Sequence, residues 1–125
     1  MILGLGMDLV SIPRIEKILE RFGERFVNKI LTEAEQDDLP SGPTRAAYLA
    51  GRFAAKEAAV KALGTGFAEG VGQLDAEILS LPSGGPELRL HGKAREKARN
   101  LGVTRMHVSI THERGSAGAV VILEA

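Results

Sequence analysis

Asp8, Glu57 and Lys61 are the side chains of this sequence best suited to work on a phosphate, provided the chain brings them together. Two carboxylates in one place offer hard oxygen ligands. Magnesium suits such a pair, because it commonly takes one or two carboxylates and fills its octahedron with water and substrate phosphate. Phe53, Glu57, Lys61 and Gly64 follow one another at intervals of four, four and three, so they share one stripe of a helix. Lys61, one turn from Glu57, would then reach the same phosphates. Arg52 and Lys56 make a second stripe about a quarter-turn away, where with Arg45 they could meet further negative charge. A plainer account stays open on the residues alone. Glu57 and Lys61 could be a surface ion pair of the kind that contributes little.

These residues require a rigid element, and Arg45 to Gly66 supplies one. Eight alanines between Ala46 and Ala62 make a strong helix with a small-residue surface that neighbours can approach closely. Thr44 is placed to cap it, and Gly64-Thr65-Gly66 to end it, with glycines that could also let backbone N–H groups approach an anion. Residues 2–9 read as a buried strand in which Gly4 and Gly6 leave one face nearly bare. Such a face signals a bulge, or a backbone or ligand approaching closely, and Asp8 lies on it. Ser11 caps a following helix with Pro13 in its first turn, a buried stripe of Ile15, Ile18, Leu19 and Phe22, and a stop at Gly23. Its polar residues divide into a basic ridge, Arg14, Lys17 and Arg21 beside Ile18, and an acidic stripe, Glu16, Glu20 and Glu24. The ridge could dock an acidic partner or simply pair with its own acids in water.

Phe26 to Leu31 reads as a short apolar connection, and Thr32 to Glu35 has the spacing of a capping box for a brief helix ending near Leu39. Residues 75–81 and 87–91 read as strands of a hairpin through Pro82 to Pro86, followed by a basic helix from Lys93 to Asn100. The last strands, 106–112 and 117–123, meet through a turn at 114–116. In the first of them Met106, Val108 and Ile110 face one way, and His107, Ser109 and Thr111 the other. The result is an α+β domain, one domain over residues 1–125, with a long central helix and antiparallel strands late in the chain.

Composition narrows the function classes. Sixteen basic and sixteen acidic residues cancel, so no net field argues for nucleic acid or an anionic membrane. The absence of cysteine excludes disulfides, thiolate metal sites and cysteine nucleophiles, and fits a cytoplasmic protein. No apolar run approaches a membrane span, and MILGLGMDLV, without a basic leader, does not read as a signal peptide. No Ser-His-Asp spacing or HExxH element favours a hydrolase.

Three separated stretches coincide with one family. They are Gly4-Leu-Gly-Met-Asp-Leu-Val10 with Arg14-Ile15, Gly51-Arg-Phe-Ala-Ala-Lys-Glu-Ala58 with Lys61-Ala62 and Gly64-Thr-Gly66, and His107-Val-Ser-Ile-Thr-His112. In this order, over nearly the whole chain, they closely resemble the holo-[acyl-carrier-protein] synthases, the short type of 4′-phosphopantetheinyl transferase. The resemblance implies transfer of 4′-phosphopantetheine from coenzyme A to a serine of apo acyl carrier protein, a step serving fatty acid biosynthesis, with adenosine 3′,5′-bisphosphate as the other product. It implies magnesium held by Asp8 and Glu57, Lys61 on the phosphates, and Arg52, Gly64, Pro86 and His107 around coenzyme A. It also implies a homotrimer with active sites between subunits. Joined to the residue reading, the expected coenzyme A set is Arg45, Arg52, Lys56, Lys61, Gly64, Pro86, His107 and Thr111. The ridge of Arg14, Ile18 and Arg21, extended by Arg25, becomes the expected docking face for the acidic carrier protein. Glu69, in the loop after Gly66, is expected to point away from phosphate. A non-catalytic module binding an acidic protein or nucleotide, and a different magnesium-dependent nucleotide transferase or hydrolase, are the competing readings of the same cations.

Overall fold

Two glycines with no room for a side chain set the architecture. A computed structural model describes residues 1–125, and in it strand β1 (Ile2–Ser11) lies directly on the long helix α4 (Arg45–Leu63). A Cβ on Gly6 would stand 1.9 Å from the carbonyl oxygen of Ala58, and one on Gly4 2.2 Å from that of Ala62. The expected close approach is therefore that of a helix backbone. Ala54, Ala55, Ala58 and Ala59 on α4 are fully or almost fully buried, so small residues on both partners let strand and helix meet.

Between them run α1 (Ile12–Phe22), α2 (Glu24–Ile30) and α3 (Glu33–Asp37). A hairpin of β2 (Ala76–Ser80) and β3 (Pro86–Leu90), helix α5 (Gly92–Leu101), and strands β4 (Arg105–Glu113) and β5 (Ser116–Glu124) follow α4. The class is α+β, as expected. The first strand joins the last two in an antiparallel sheet of order β1-β5-β4, with Asp8 opposite Ala119, while β2 and β3 form a separate two-stranded sheet. The core lies between the inner face of the larger sheet and the helices, and includes Ile15, Val27, Leu49, Val60, Val121 and Leu123.

Several expectations are corrected. Strand β1 is buried on one side only: Leu5, Met7 and Leu9 are 64%, 71% and 72% exposed, because no element of the chain covers the outer face of the sheet. Residues 26–31 are mostly helix rather than connection, since Gly23, at φ +55°, ends α1 and allows α2 to begin at once with Glu24 in its first turn. Phe22 is exposed, with the Arg21 guanidinium 5.1 Å above its ring. Thr44 makes no side-chain cap, because a 3-10 turn at Gly42–Thr44 runs straight into α4 and gives Thr44 helical backbone angles. The Ser11 cap, the Thr32–Glu35 capping box and the Gly64 stop form as expected.

Gly6→Ala should destabilise the protein by about 3 kcal/mol or more, above the usual overpacking cost because the obstacle is backbone. Urea unfolding measures it, and a loss below ~1 kcal/mol would show that strand and helix can part without consequence.

Candidate active site

The face of β1 that carries Gly4 and Gly6 also carries Asp8, so the strand–helix contact brings Asp8 beside the Glu57 turn of α4. Lys61 Nζ donates to Asp8 Oδ1 at 2.9 Å and to the Met7 carbonyl at 3.2 Å. The three residues singled out for phosphate chemistry thus form one cluster. Partial burial, and then the negative charge of Asp8, push the Glu57 carboxyl above the usual carboxylate range, against the opposing effect of Lys61. The hydrogen bond to Asp8 raises Lys61, which keeps its ammonium form.

Asp8 and Glu57 open into a hollow of about 320 Å³ whose other walls include Phe53, Ile15, Arg14 and Ile18. No group of three or more His, Asp or Glu side chains is arranged to hold a metal ion by itself. The donor set is two carboxylates, held close enough to repel each other and open to solvent. That fits a hard divalent cation which brings water and phosphate oxygens to complete its shell. Ile18 is shared with a second hollow of about 280 Å³ that includes Phe22, Phe26 and Arg25. Arg14, Ile18 and Arg25 therefore border one continuous rim, and Arg21 lies over Phe22 beside them.

On another face of α4, Arg52 lines a hollow of about 410 Å³ with Tyr48, Gly51, Gly84, Pro86, Ile110 and His112. Arg52 donates from Nη2 to Ser80 Oγ at 2.9 Å, and its guanidinium carbon stands 4.4 Å from the Tyr48 ring centroid. Its Nε is buried without a partner.

Not every expected residue gathers at these hollows. His107 and Thr111 project from the outer face of β4, where His107 Nε2 lies 2.8 Å from Glu124 Oε1, and the histidine that joins Arg52 and Pro86 is His112. The two-residue period that puts Met106 and Ile110 inside puts His112 with them, so the signal was present in the sequence. Tyr48 carried no such signal. Arg45 pairs with Glu24.

Lys56 is a plain correction: it is completely buried, its Nζ bonded to Glu35 Oε1 at 2.8 Å and to the carbonyls of Gln73 and Ala76, and it cannot reach a surface ligand. Helical position alone gave no means of telling a buried lysine from an exposed one. Gly64, Thr65 and Gly66 spend their N–H groups on the carbonyls of Lys61 and Val60. The segment caps the negative end of a helix dipole and offers no N–H cradle to an anion, so what Gly64 supplies is its left-handed turn at φ +82°. Glu69 is exposed, on the edge of a surface hollow that also includes Lys93 and Lys97.

Residues 4–116 match the model of the 4′-phosphopantetheinyl transferase superfamily. The chain belongs to that family. It is 56% identical to the holo-[acyl-carrier-protein] synthase of Desulfovibrio desulfuricans, over all of this chain and 99% of that one. Among solved structures it is similar to the holo-[acyl-carrier-protein] synthase of Neisseria meningitidis, with a TM-score of 0.90, 35% identity and full coverage of both chains. It is also similar to the enzyme from Bacillus anthracis in complex with coenzyme A (3′,5′-ADP), with a TM-score of 0.83 and 37% identity over all of this chain and 98% of that one.

Proposed function

We propose that this chain is a holo-[acyl-carrier-protein] synthase, transferring 4′-phosphopantetheine from coenzyme A to a serine of apo acyl carrier protein. The observation that carries the reading is Asp8 and Glu57 in one hollow, bordered by the basic and apolar rim of α1, with Lys61 bonded to Asp8 beside it, in a chain of this family.

In that reaction the serine hydroxyl attacks the phosphorus that bears the pantetheine arm. The bond from that phosphorus to the bridging oxygen breaks, and adenosine 3′,5′-bisphosphate leaves with the electron pair. Such transfers depend on alignment and charge neutralisation rather than on covalent help from the protein. Asp8 and Glu57 would hold magnesium, which when bound neutralises charge developing on the pyrophosphate. Lys61, released from Asp8, donates to the phosphate oxygens and steadies the leaving group. Glu57 is also the side chain in the hollow placed to receive the serine proton, directly or through water. The nucleotide end of coenzyme A is assigned to the hollow of Arg52, Tyr48, Pro86 and His112, where the guanidinium charge would meet phosphate.

The carrier protein docks on the rim of Arg14, Ile18, Arg21 and Arg25. Acyl carrier proteins are acidic, so opposite charge guides their approach, and Ile18 supplies an apolar contact at the edge of the reaction hollow.

The assembly we assign is a homotrimer, supported by two features. Leu5, Met7 and Leu9 expose an apolar stripe on a sheet face, larger than isolated surface residues explain. The carboxylate hollow and the Arg52 hollow also open on different faces of α4, as expected if each active site is shared by two subunits. His107 and Thr111 lie on the same apolar sheet face, so their place in the coenzyme A set depends on a neighbouring subunit. A cytoplasmic location accords with these substrates.

Incubation with apo acyl carrier protein, coenzyme A and magnesium should increase the carrier's mass by one phosphopantetheine, read by mass spectrometry. No gain with any divalent metal would defeat the enzyme reading in favour of a binding module, and activity with a nucleoside triphosphate instead would point to another transferase. Glu57→Gln should lower transfer by at least ~10²-fold while the thermal transition stays in place. Arg14→Glu should raise KM for the carrier roughly tenfold and leave KM for coenzyme A within about twofold, an effect that shrinks with salt. Met7→Glu should convert the trimer to monomers in sedimentation equilibrium, and an unaltered protein that sediments as an active monomer would remove the shared site.

A further inference from the structure

The Glu35–Lys56 pair is the most deeply buried charge in the molecule, and nothing in the transfer reaction uses it. Both side chains have no exposed surface. Each is completely satisfied in a way that only the ionised form allows. Glu35 accepts at Oε1 from the Thr32 N–H and from Lys56, and at Oε2 from the Ile78 N–H at 2.9 Å, so both oxygens face donors alone. Lys56 donates three bonds, to Glu35 and to the carbonyls of Gln73 and Ala76, which uses all the donors of an ammonium. Burial holds the Lys56 pKa below the usual lysine range, and the Glu35 charge and hydrogen bond offset only part of that effect.

Three of these five hydrogen bonds reach one short segment, Gln73 to Ile78, which leads into and begins strand β2. Glu77, between them, accepts from Thr32 Oγ1 at 2.6 Å and lies 3.0 Å from His91 Nε2 at the end of β3. The β2–β3 hairpin needs such a tether, because no ladder hydrogen bond joins it to the larger sheet. Ile78 and Leu88 hold it by apolar contact, but apolar contact is non-directional and does not fix a position along the helix. The far end of the same hairpin reaches the nucleotide hollow: Ser80 accepts from Arg52, and Gly84 and Pro86 form one wall. Arg52 and Lys56 are one turn apart on α4, so one helix stripe grips both ends of β2.

We infer that the Glu35–Lys56 pair is a positioning device for the hairpin: it sets β2 against α4 so that Ser80 holds Arg52 while Gly84 and Pro86 form a wall of the Arg52 hollow. The inference rests on the assignment of that hollow to the nucleotide of coenzyme A. Lys56 and Glu35 touch no substrate and act through Arg52 and the hairpin turn. Their loss should therefore weaken nucleotide binding and leave the carrier-docking rim on α1 unaffected.

The test compares Lys56→Met, which keeps the stem and removes the three bonds, with the double variant Glu35→Gln/Lys56→Met, which also removes the stranded charge. In both, KM for coenzyme A and the calorimetric Kd for adenosine 3′,5′-bisphosphate should rise roughly tenfold, with KM for the carrier within about twofold. Equal rises in both KM values, or a loss of active fraction with unchanged constants, would reduce the pair to general stability and overturn the inference. So would recovery of nucleotide affinity in the double variant, which would assign the effect to an unpaired carboxylate. Should circular dichroism show Lys56→Met unfolded, Glu35→Gln decides. It leaves Lys56 its two carbonyl acceptors, and the same split should appear at about two- to fivefold; an unchanged Kd there would equally overturn the inference. An unaltered protein that binds no adenosine 3′,5′-bisphosphate and modifies no carrier would instead defeat the function reading, which keeps the two failures apart.

Discussion

The contact of β1 with α4, backbone against backbone, is the constraint on which the site depends. A carboxylate on an N-terminal strand and a carboxylate on a mid-chain helix meet only if the two elements approach more closely than ordinary side chains allow. Glycine at 4 and 6, against alanines at 58 and 62, removes the spacer. Glycine within a strand weakens it intrinsically, and a ladder to β5 that is continuous from Gly4 to Ser11 compensates. The geometry of the charged cluster is thus set by the residues with the least chemistry.

Electrostatics divides α4 along its length. Lys61 stays at the surface, where an exposed ion pair with Asp8 can be exchanged for phosphate at little cost. Lys56, five residues earlier, is sealed inside with its charge fully matched, so losing either partner strands a charge in the interior. Arg52 falls between these extremes: one nitrogen is bound to Ser80, the plane stands over Tyr48, and another nitrogen is unpaired. A single helix supplies three cations with three different freedoms, and burial rather than residue type separates them.

That division explains what was legible in the sequence. Strand, helices and hairpin followed from periodicity, caps and turn residues, and the glycine face of β1 correctly signalled close approach. Helical spacing joined Glu57 to Lys61, while their meeting with Asp8 was a condition on the residues alone and came from the family resemblance. Lys56 was misjudged because its fate depends on Glu35 and on carbonyls of Gln73 and Ala76, groups brought from distant parts of the chain. Strand alternation puts His107 and His112 on opposite faces of β4, so within one chain only His112 joins Arg52, and His107 can meet the nucleotide only through a neighbouring subunit. The exposed side of β1 was beyond reach, since an apolar alternation looks the same whether its far side meets the chain's own core or nothing in the chain.

Strand alternation has a further consequence at β1. Asp8 and Met7 are neighbours that face opposite sides of the sheet, one toward the helix and one outward. Because the period is two, sliding the strand by one residue would put a thioether where the carboxylate belongs, and a leucine where a glycine must pass the helix backbone. The irregular pairing between Ile2 and Gly4 lies upstream of that critical run, and from Gly4 to Ser11 the ladder is continuous. Length changes before the irregularity can be taken up there as slack. Beyond it the strand behaves as a ruler with no tolerance, and one inserted residue would turn the reactive face of the protein inside out.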